Sequence, residues 1–199
     1  MKYEKAFLEY FSKLKFFSFK DAKRFLLNMG SSEDYVKLFL HNQIKRHNLF
    51  RIGKGFYTFQ NNEVVIGFRF SPFYYGLEYA LTIRKLWTQM ASPVIITTRN
   101  VRSGRREIFG ANVIIRKISK KMFFGYEYIN HSGIFVPVSD PEKTFIDFFY
   151  FKIPFPKECR IKLNKQKLKR YLKLCNPILR KRIEKFLSSS LSKNIWERS

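Results

Sequence analysis

The sequence predicts an α+β protein, because stretches with helical spacing and stretches typical of short strands alternate along its 199 residues. The clearest helix lies over residues 32–47, and two short strand patterns follow it directly. The clearest strand is the β-branched run over residues 94–98, which begins after a proline. A chain of this length can bury a sizeable core and form one or two domains.

The segment from Ser31 to Phe59 organises the first part of this prediction. The hydroxyls of Ser31 and Ser32 can cap a helix start, and the two acids that follow complement the helix dipole. One side of the helix carries Val36, Phe39, Leu40, Gln43, Ile44 and His47. The opposite side carries Asp34, Leu38, His41, Asn42 and Lys45, flanked by Lys37 and Asn48. We therefore expect an amphipathic helix with one polar side towards solvent.

A hairpin is predicted directly after this helix. Residues 49–52 and 56–59 resemble strands, and they are joined by Gly53-Lys54-Gly55, where glycine accepts the positive φ of a tight turn. Two helices are predicted earlier, over residues 2–14 and 18–29, the second with a capping box that uses Asp21. This order of elements predicts a winged helix-turn-helix domain over residues 1–60.

The rest of the chain, residues 61–199, is predicted to form a mixed α+β domain with a basic helical end at about residues 160–190. The expected strands cover residues 64–70, 94–98, 113–118, 124–129 and 134–138, and the expected helices cover residues 74–87, 140–151, 165–175 and 177–187. Residues 100–110 are expected to form an arginine-rich loop. We expect Ser139 and Glu142 to cap the helix over residues 140–151 reciprocally.

The charge of the chain indicates a polyanionic partner. Lys and Arg number 39 against 15 Asp and Glu, which leaves a formal net charge of +24 at pH 7. By count, residues 1–60 carry +7, residues 61–151 carry +5 and residues 152–199 carry +12. An excess of this size predicts binding to nucleic acid or to an anionic membrane surface.

The cysteines and the apolar segments favour a cytoplasmic protein. Cys159 and Cys175 are isolated and form no CxxC pair, which fits a reducing compartment. The first apolar run contains Glu4 and Glu9, so we do not interpret it as a signal peptide. No uncharged apolar stretch reaches the length of about 18 residues that a membrane span requires.

The sequence predicts no enzymatic activity, metal or cofactor. It contains neither a zinc-ligand spacing nor a glycine-rich phosphate loop after a strand. Gly30-Ser31 could open a nucleotidyltransferase signature, but no acid lies between Asp34 and Glu63 to bind its metal. The acids Asp140, Glu142 and Asp147 surround Lys143, and we interpret them as a capped helix start with an i,i+4 ion pair.

The polar side of the helix over residues 32–47 is the best candidate for a DNA contact. A helix in the major groove needs groups that hydrogen-bond base edges, which His41 and Asn42 offer, and cations for phosphates, which Lys37 and Lys45 offer. Leu38 could meet a thymine methyl group. The remaining predicted contacts are Arg51 and Lys54 on the hairpin, Ser31 and Ser32 at the helix N-terminus, and Arg102, Arg105 and Arg106 as additional phosphate contacts.

Several segments resemble AbiEi-type antitoxins of bacterial and archaeal abortive-infection systems. The hairpin Arg51-Ile52-Gly53-Lys54-Gly55-Phe56-Tyr57 is similar to the R-x-x-x-G-x-Y ending of their N-terminal module. Pro141, Glu142, Lys143 and Asp147 match their A-x-P-E-K-A-L-L-D-L motif, and the segments at Tyr75–Leu81 and Val94–Thr98 are also similar. The resemblance covers about residues 15–155, and the basic end after Pro156 carries more charge than the family pattern.

This resemblance implies a type IV antitoxin that is also a transcriptional regulator. Such proteins bind inverted repeats in their own promoter through the winged helix, and their second domain counteracts a nucleotidyltransferase toxin. The residues themselves leave three other interpretations open: a nucleic-acid-processing enzyme, an RNA-binding protein, and a protein that binds anionic membrane surfaces through its basic end.

Overall fold

A computed structural model of the chain describes residues 3–156 and 158–188 and confirms the α+β class. Lys2, at the start of the first predicted helix, and the last residues of the basic end lie outside the described residues. The chain divides into two compact units. The first comprises the chain up to Arg69 together with Glu107–Ala111, and the second comprises the remainder. The predicted domain boundary at residue 60 stays a prediction.

The first unit contains three helices and a small antiparallel sheet. Its elements are α1 (Glu4–Phe11), β1 (Phe17–Ser18), α2 (Phe19–Asn28), α3 (Glu33–Lys45), β2 (Phe50–Gly53) and β3 (Phe56–Thr58). The strands lie in the order β1-β3-β2. The predicted hairpin is thus present, and a short strand between the first two helices extends its sheet.

Aromatic residues form the core of this unit. The ring of Phe7 lies 4.5 Å from that of Phe11, 5.6 Å from that of Phe17 and 4.9 Å from that of Phe39, measured between centroids. These rings come from α1, β1 and α3, and all four are buried. Burial of one such aromatic side chain contributes on the order of 2–3 kcal/mol, so this cluster fixes the helices against the sheet.

The capping signals of α2 and α3 are confirmed. The Oγ of Ser18 accepts a hydrogen bond from the backbone N–H of Asp21, whose carboxylate accepts one from the N–H of Ser18. Ser32 caps α3 by accepting from the N–H of Tyr35 at 3.3 Å. Val36, Phe39, Leu40 and Gln43 of the predicted apolar side are buried, whereas Ile44 is half-buried and His47 is exposed. The helix ends at Lys45, and His47 turns the chain with a φ of 59°.

The second unit is built on a six-stranded mixed sheet. The sheet and the helices that follow its strands are β4 (Phe73–Tyr75), α4 (Leu77–Ile83), β5 (Val94–Thr97), β6 (Gly104–Ile108), β7 (Ala111–Lys117), β8 (Tyr126–His131), β9 (Ile134–Ser139), α5 (Pro141–Tyr150), α6 (Lys165–Leu174) and α7 (Pro177–Leu187). The last two residues of β6 and the first residue of β7 fall in the first unit. The strand order is β6-β7-β5-β4-β9-β8. Strand β4 runs antiparallel to β5 and parallel to β9, whereas β8 and β9 are antiparallel.

Three predicted elements of residues 61–199 are wrong. Glu63–Phe70 forms a 3₁₀ helix rather than a strand, since a continuous apolar run carries no period that separates the two. The helix predicted over residues 74–87 is divided into β4 and the shorter α4, because Phe73, Tyr74 and Tyr75 pair with β5. Part of the predicted arginine-rich loop forms β6, the edge strand of the sheet.

The start of α5 also differs from its prediction. Asp140, and not Ser139, is the N-cap, and its Oδ1 accepts from the N–H of Lys143 at 2.7 Å. Pro141 occupies the first turn, where its missing N–H costs nothing. The Oγ of Ser139 instead lies 2.6 Å from the Oγ1 of Thr144. The side chain of Glu142 is consequently free to bond elsewhere.

Candidate nucleic-acid interface

The polar side of α3 presents the predicted contact residues to solvent. We define the α3 polar face as Asp34, Lys37, Leu38, His41, Asn42 and Lys45; all are exposed except Asn42, which is half-buried. The helix is fixed from behind by Val36, Phe39 and Leu40, which are at most 2% exposed. A helix anchored along one side in this way can present the other side as a rigid surface.

Strand β2 lies beside this face. Lys37 and His41 of α3 and Arg51 of β2 line one shallow depression in the surface. Buried Leu40 and Tyr57 also line it. The fold therefore brings the cation of Lys37, the imidazole of His41 and the guanidinium of Arg51 into one continuous surface. These residues are separated by up to 14 positions in the sequence.

The hairpin turn exposes a further cation. Lys54 lies between Gly53 and Gly55 and is exposed. Gly55 has a backbone φ of 71°, which residues that carry a Cβ rarely adopt. This turn therefore favours glycine at position 55. The Nε of Arg51 donates to the carbonyl of Gly53 at 3.3 Å, which directs that side chain along the hairpin.

The two serines before α3 are engaged in the local structure. The hydroxyl of Ser32 is the helix cap, and the Oγ of Ser31 is buried and has no hydrogen-bond partner among the described residues. Glu33 forms an ion pair with Lys23, and its pKa is lowered because Lys23 donates a hydrogen bond to it. Phosphate binding by Ser31 and Ser32 stays a prediction, and the hydroxyl of Ser32 already serves as the helix cap.

The arginine-rich segment lies in the second unit. Arg102 and Arg105 are exposed, and the guanidinium of Arg106 donates to the carbonyl of Arg102. Lys117 holds the same segment from β7, because its Nζ donates to Asn100 at 2.9 Å and its N–H donates to Ser103 at 3.1 Å. Arg102 and Arg105 are thus the two of the three predicted arginines whose side chains extend into solvent.

In the Pro141–Asp147 segment of α5, which resembles the antitoxin motif, the side chains of Glu142, Lys143 and Asp147 are buried. Lys143 and Asp147 are both 0% exposed and form an ion pair with each other. The other oxygen of the Asp147 carboxylate accepts from the hydroxyl of Tyr74 at 2.9 Å. The Nζ of Lys143 lies 5.3 Å from the centre of the Tyr74 ring and 5.2 Å from that of Phe124, within range of cation–π attraction. The predicted i,i+4 pair is confirmed, and it is a core pair.

Burial is the largest influence on the pKa of the Asp147 carboxyl. It raises the pKa of the Asp147 carboxyl, whereas Lys143 and the Tyr74 hydrogen bond act in the opposite direction. The pKa of Tyr74 is raised well above its ordinary value, first because the phenol is buried and then because of Asp147. Each carboxylate oxygen of Asp147 has a partner within the core, one in Tyr74 and the other in Lys143. Its arrangement is that of a structural network.

A second ionic cluster connects α5 to α6. The Nζ of Lys167 lies 3.1 Å from an oxygen of Asp140 and 3.1 Å from an oxygen of Glu142. The hydroxyl of Tyr171 donates to Asp140 at 2.7 Å, and the N–H of Asn164 donates to Glu142 at 2.8 Å. These partners were not predicted from the sequence, although the spacing of Lys167 and Tyr171 places them on one side of α6.

This second cluster predicts a modest loss of stability in Lys167→Met. The variant is expected to lower the free energy of unfolding of the second unit by about 1 kcal/mol, since Lys167 is one-third exposed and water screens its ion pairs. Lys169→Met, at an exposed position of the same helix, should change it by less than about 0.5 kcal/mol. Urea unfolding followed by circular dichroism measures both. Equal effects would contradict a docking role for Lys167.

No helix within residues 3–156 and 158–188 is long and apolar enough to cross a membrane. In the same part of the chain, no group of three or more His, Cys, Asp or Glu side chains could hold a metal ion. Comparison of the chain with protein-family models gives no match, and comparison with curated protein sequences gives none either.

Proposed function

We propose that the first unit is a winged helix-turn-helix and that it binds duplex DNA through the α3 polar face and the β2–β3 hairpin. The single observation that carries this proposal is the surface shared by Lys37, His41 and Arg51, which combines base-reading and phosphate-binding side chains from two adjacent elements. The formal net charge of +24 supports a polyanionic partner.

The two kinds of contact have separate carriers on this surface. His41 and Asn42 lie near the middle of the α3 polar face, where a helix in the major groove meets base edges. Arg51 and Lys54 lie on the hairpin beside it, where phosphates of the duplex or its minor groove would pass. We assign sequence readout to the helix and sequence-independent affinity to the hairpin and to Lys45.

We extend the proposal to regulation of the protein's own promoter as a type IV antitoxin. The support is the resemblance of the hairpin and of the Pro141–Asp147 segment to AbiEi-type antitoxins. The partner would be a nucleotidyltransferase toxin encoded by a neighbouring gene. Expression of that gene should halt growth, and co-expression of this chain should restore it. If no neighbouring gene halts growth, the antitoxin part of the proposal is contradicted, and the proposal of DNA binding is unaffected.

The test of DNA binding is a fluorescence-anisotropy titration over a range of salt concentrations. A duplex selected by the protein from a random pool is compared with a scrambled duplex of the same composition. The affinity for both duplexes should fall as the salt concentration rises. The protein should bind the selected duplex at least about 1,000-fold more tightly than the scrambled duplex. Tighter binding to structured RNA at equal salt would favour the RNA-binding alternative, and vesicle binding in its place would favour the membrane alternative.

Lys54→Ala is expected to weaken binding to both duplexes by the same factor. Since a phosphate contact releases a counterion, the slope of log affinity against log salt should become shallower by about one unit. Lys5→Ala is the matched control, because Lys5 is exposed on α1 of the same unit and outside the proposed interface. An unchanged slope in Lys54→Ala would remove the hairpin turn from the interface.

A further inference from the structure

The six-stranded sheet ends at β8, which has a neighbouring strand on one side only among the described residues. The N–H of Asp140 donates to the carbonyl of Gly125, which continues the β8–β9 register by one position. Hydrogen-bonded pairs alternate in an antiparallel ladder, so Glu127 and Ile129 bond inwards to β9. The backbone groups of Tyr126, Tyr128 and Asn130 therefore point away from β9, towards the open edge.

The two edges of this sheet differ in chemistry. The opposite edge strand, β6, carries Arg105 and Arg106, and charged side chains on an edge prevent pairing with another chain. Strand β8 has neither Lys nor Pro, and its only acid, Glu127, is bonded to Arg84 at 2.7 Å. Tyr128 is 63% exposed on it. Strand β8 therefore lacks the lysine and proline that protect many edge strands, and its one carboxylate is engaged by Arg84.

The β8 edge also lies in the longest stretch of the sequence without a cation. No Lys or Arg occurs over residues 122–142, in a chain that contains 39 of them. A second copy of so basic a chain meets less like charge along this segment, which offers aromatic side chains and an open strand edge. The surface suits a partner that is itself basic overall and presents a similar neutral strand, and a second copy of this chain is such a partner.

We propose that β8 pairs antiparallel with β8 of a second copy, which makes a symmetric dimer with a continuous sheet. The twofold axis passes beside Tyr128, so Tyr128 lies opposite its counterpart and Tyr126 lies opposite Asn130 of the other copy. All the outward backbone groups then meet in hydrogen-bonded pairs, with about six hydrogen bonds across the axis. This inference does not depend on DNA binding.

Side chains select this register over its neighbour. With the axis beside Tyr128, Glu127 faces Ile129 of the other copy, and the two Tyr128 rings form a cross-strand aromatic pair. A shift that moves the axis to Glu127 would place two carboxylates opposite each other, which is destabilising, and would leave Asn130 outside the ladder. The proposed register thus combines the fullest ladder with no like-charge pair.

The charge of the chain gives this dimer a distinctive salt dependence. Two copies of a protein with a net charge of +24 repel each other, and salt screens that repulsion. Dimerisation should therefore strengthen as salt increases, in the opposite sense to binding of a polyanion. An edge-to-edge contact is smaller than a standard protein interface, so the association should be reversible and concentration-dependent.

Sedimentation velocity of the full chain at several protein and salt concentrations tests the proposal. The wild type should shift from monomer to dimer with concentration, and more readily at higher salt. Tyr128→Lys should weaken the association by about tenfold or more, since it places like charges opposite each other. Met90→Lys is the matched control, because Met90 is 94% exposed outside the sheet and the variant carries the same added charge.

Cross-linking tests the register. In a Cys159→Ser background, Tyr128→Cys should form an intermolecular disulfide on mild oxidation, because opposed residues of a hydrogen-bonded pair have Cα atoms about 5.5 Å apart. Asn130→Cys should not, since its counterpart lies opposite Tyr126. Circular dichroism confirms that each variant is folded. A wild type that stays monomeric at all concentrations, or equal weakening by Tyr128→Lys and Met90→Lys, would overturn the proposal.

Discussion

Replacement of Lys143 by Met is expected to lower the free energy of unfolding of the second unit by about 3–5 kcal/mol. The variant leaves the Asp147 carboxylate fully buried and without its ion-pair partner, and the Tyr74 hydroxyl is its remaining hydrogen-bond donor among the described residues. Lys169→Met, which removes an exposed cation from α6, should cost less than about 0.5 kcal/mol. Urea unfolding measures both, with probes chosen so that the transitions of the two units are separated.

The loss in Lys143→Met should depend on pH. Burial already raises the pKa of Asp147, and Lys143 is the strongest influence that lowers it, so its removal raises that pKa further. A carboxyl whose pKa is higher in the folded state stabilises the fold below its unfolded pKa and loses that contribution as pH rises through the folded value. The deficit of the variant against wild type should therefore be larger at neutral pH than in acid.

A compensating variant separates the buried charge from the packing. Lys143→Met combined with Asp147→Leu removes both charges, and Tyr74→Phe removes the hydroxyl that would then have no acceptor. Well-packed apolar residues often replace a buried ion pair without lowering the free energy of unfolding. The triple variant should therefore recover most of the stability that Lys143→Met loses. If Lys143→Met alone costs less than about 1 kcal/mol, the ion pair is not the structural network that we describe.

The elements that the sequence predicted well are those whose signals are local. The caps of α2 and α3 and the helix from Pro177 are set by residues within one turn of the helix start, and all three lie where predicted. The wrong assignments concern segments decided by distant partners. Strand β4 exists because Phe73–Tyr75 pairs with Val94–Thr97, and the helical spacing of residues 74–87 contains no trace of that pairing.

The same distinction applies to the candidate DNA-contact residues. Helical spacing alone places His41, Asn42 and Lys45 on the side of α3 opposite the core, and the structure has them there. That Arg51 would share a depression with Lys37 and His41 depends on how β2 packs against α3, which the spacing does not encode. The contact of Tyr74 with Asp147 spans 73 positions and has no sequence signal.

Asn42→Ala is expected to reduce the affinity for the selected duplex much more than the affinity for the scrambled one. Loss of a good bidentate base contact costs roughly 1–3 kcal/mol of discrimination, which corresponds to about 5- to 150-fold in relative affinity. Asn42 lies on the α3 polar face beside His41. The matched control is Asn28→Ala, since Asn28 is exposed at the end of α2 in the same unit and outside the proposed interface.

The comparison of Asn42→Ala with Lys54→Ala decides where specificity lies. Asn42→Ala should change the ratio of the affinities for the selected and the scrambled duplex. Lys54→Ala should lower both affinities and leave their ratio unchanged. The two variants are titrated by fluorescence anisotropy at the same salt concentrations, with Asn28→Ala alongside. If Asn42→Ala and Lys54→Ala weaken both duplexes by one common factor, α3 does not read sequence. The exposed Arg102 and Arg105 of the second unit would then be the next candidates for base contacts.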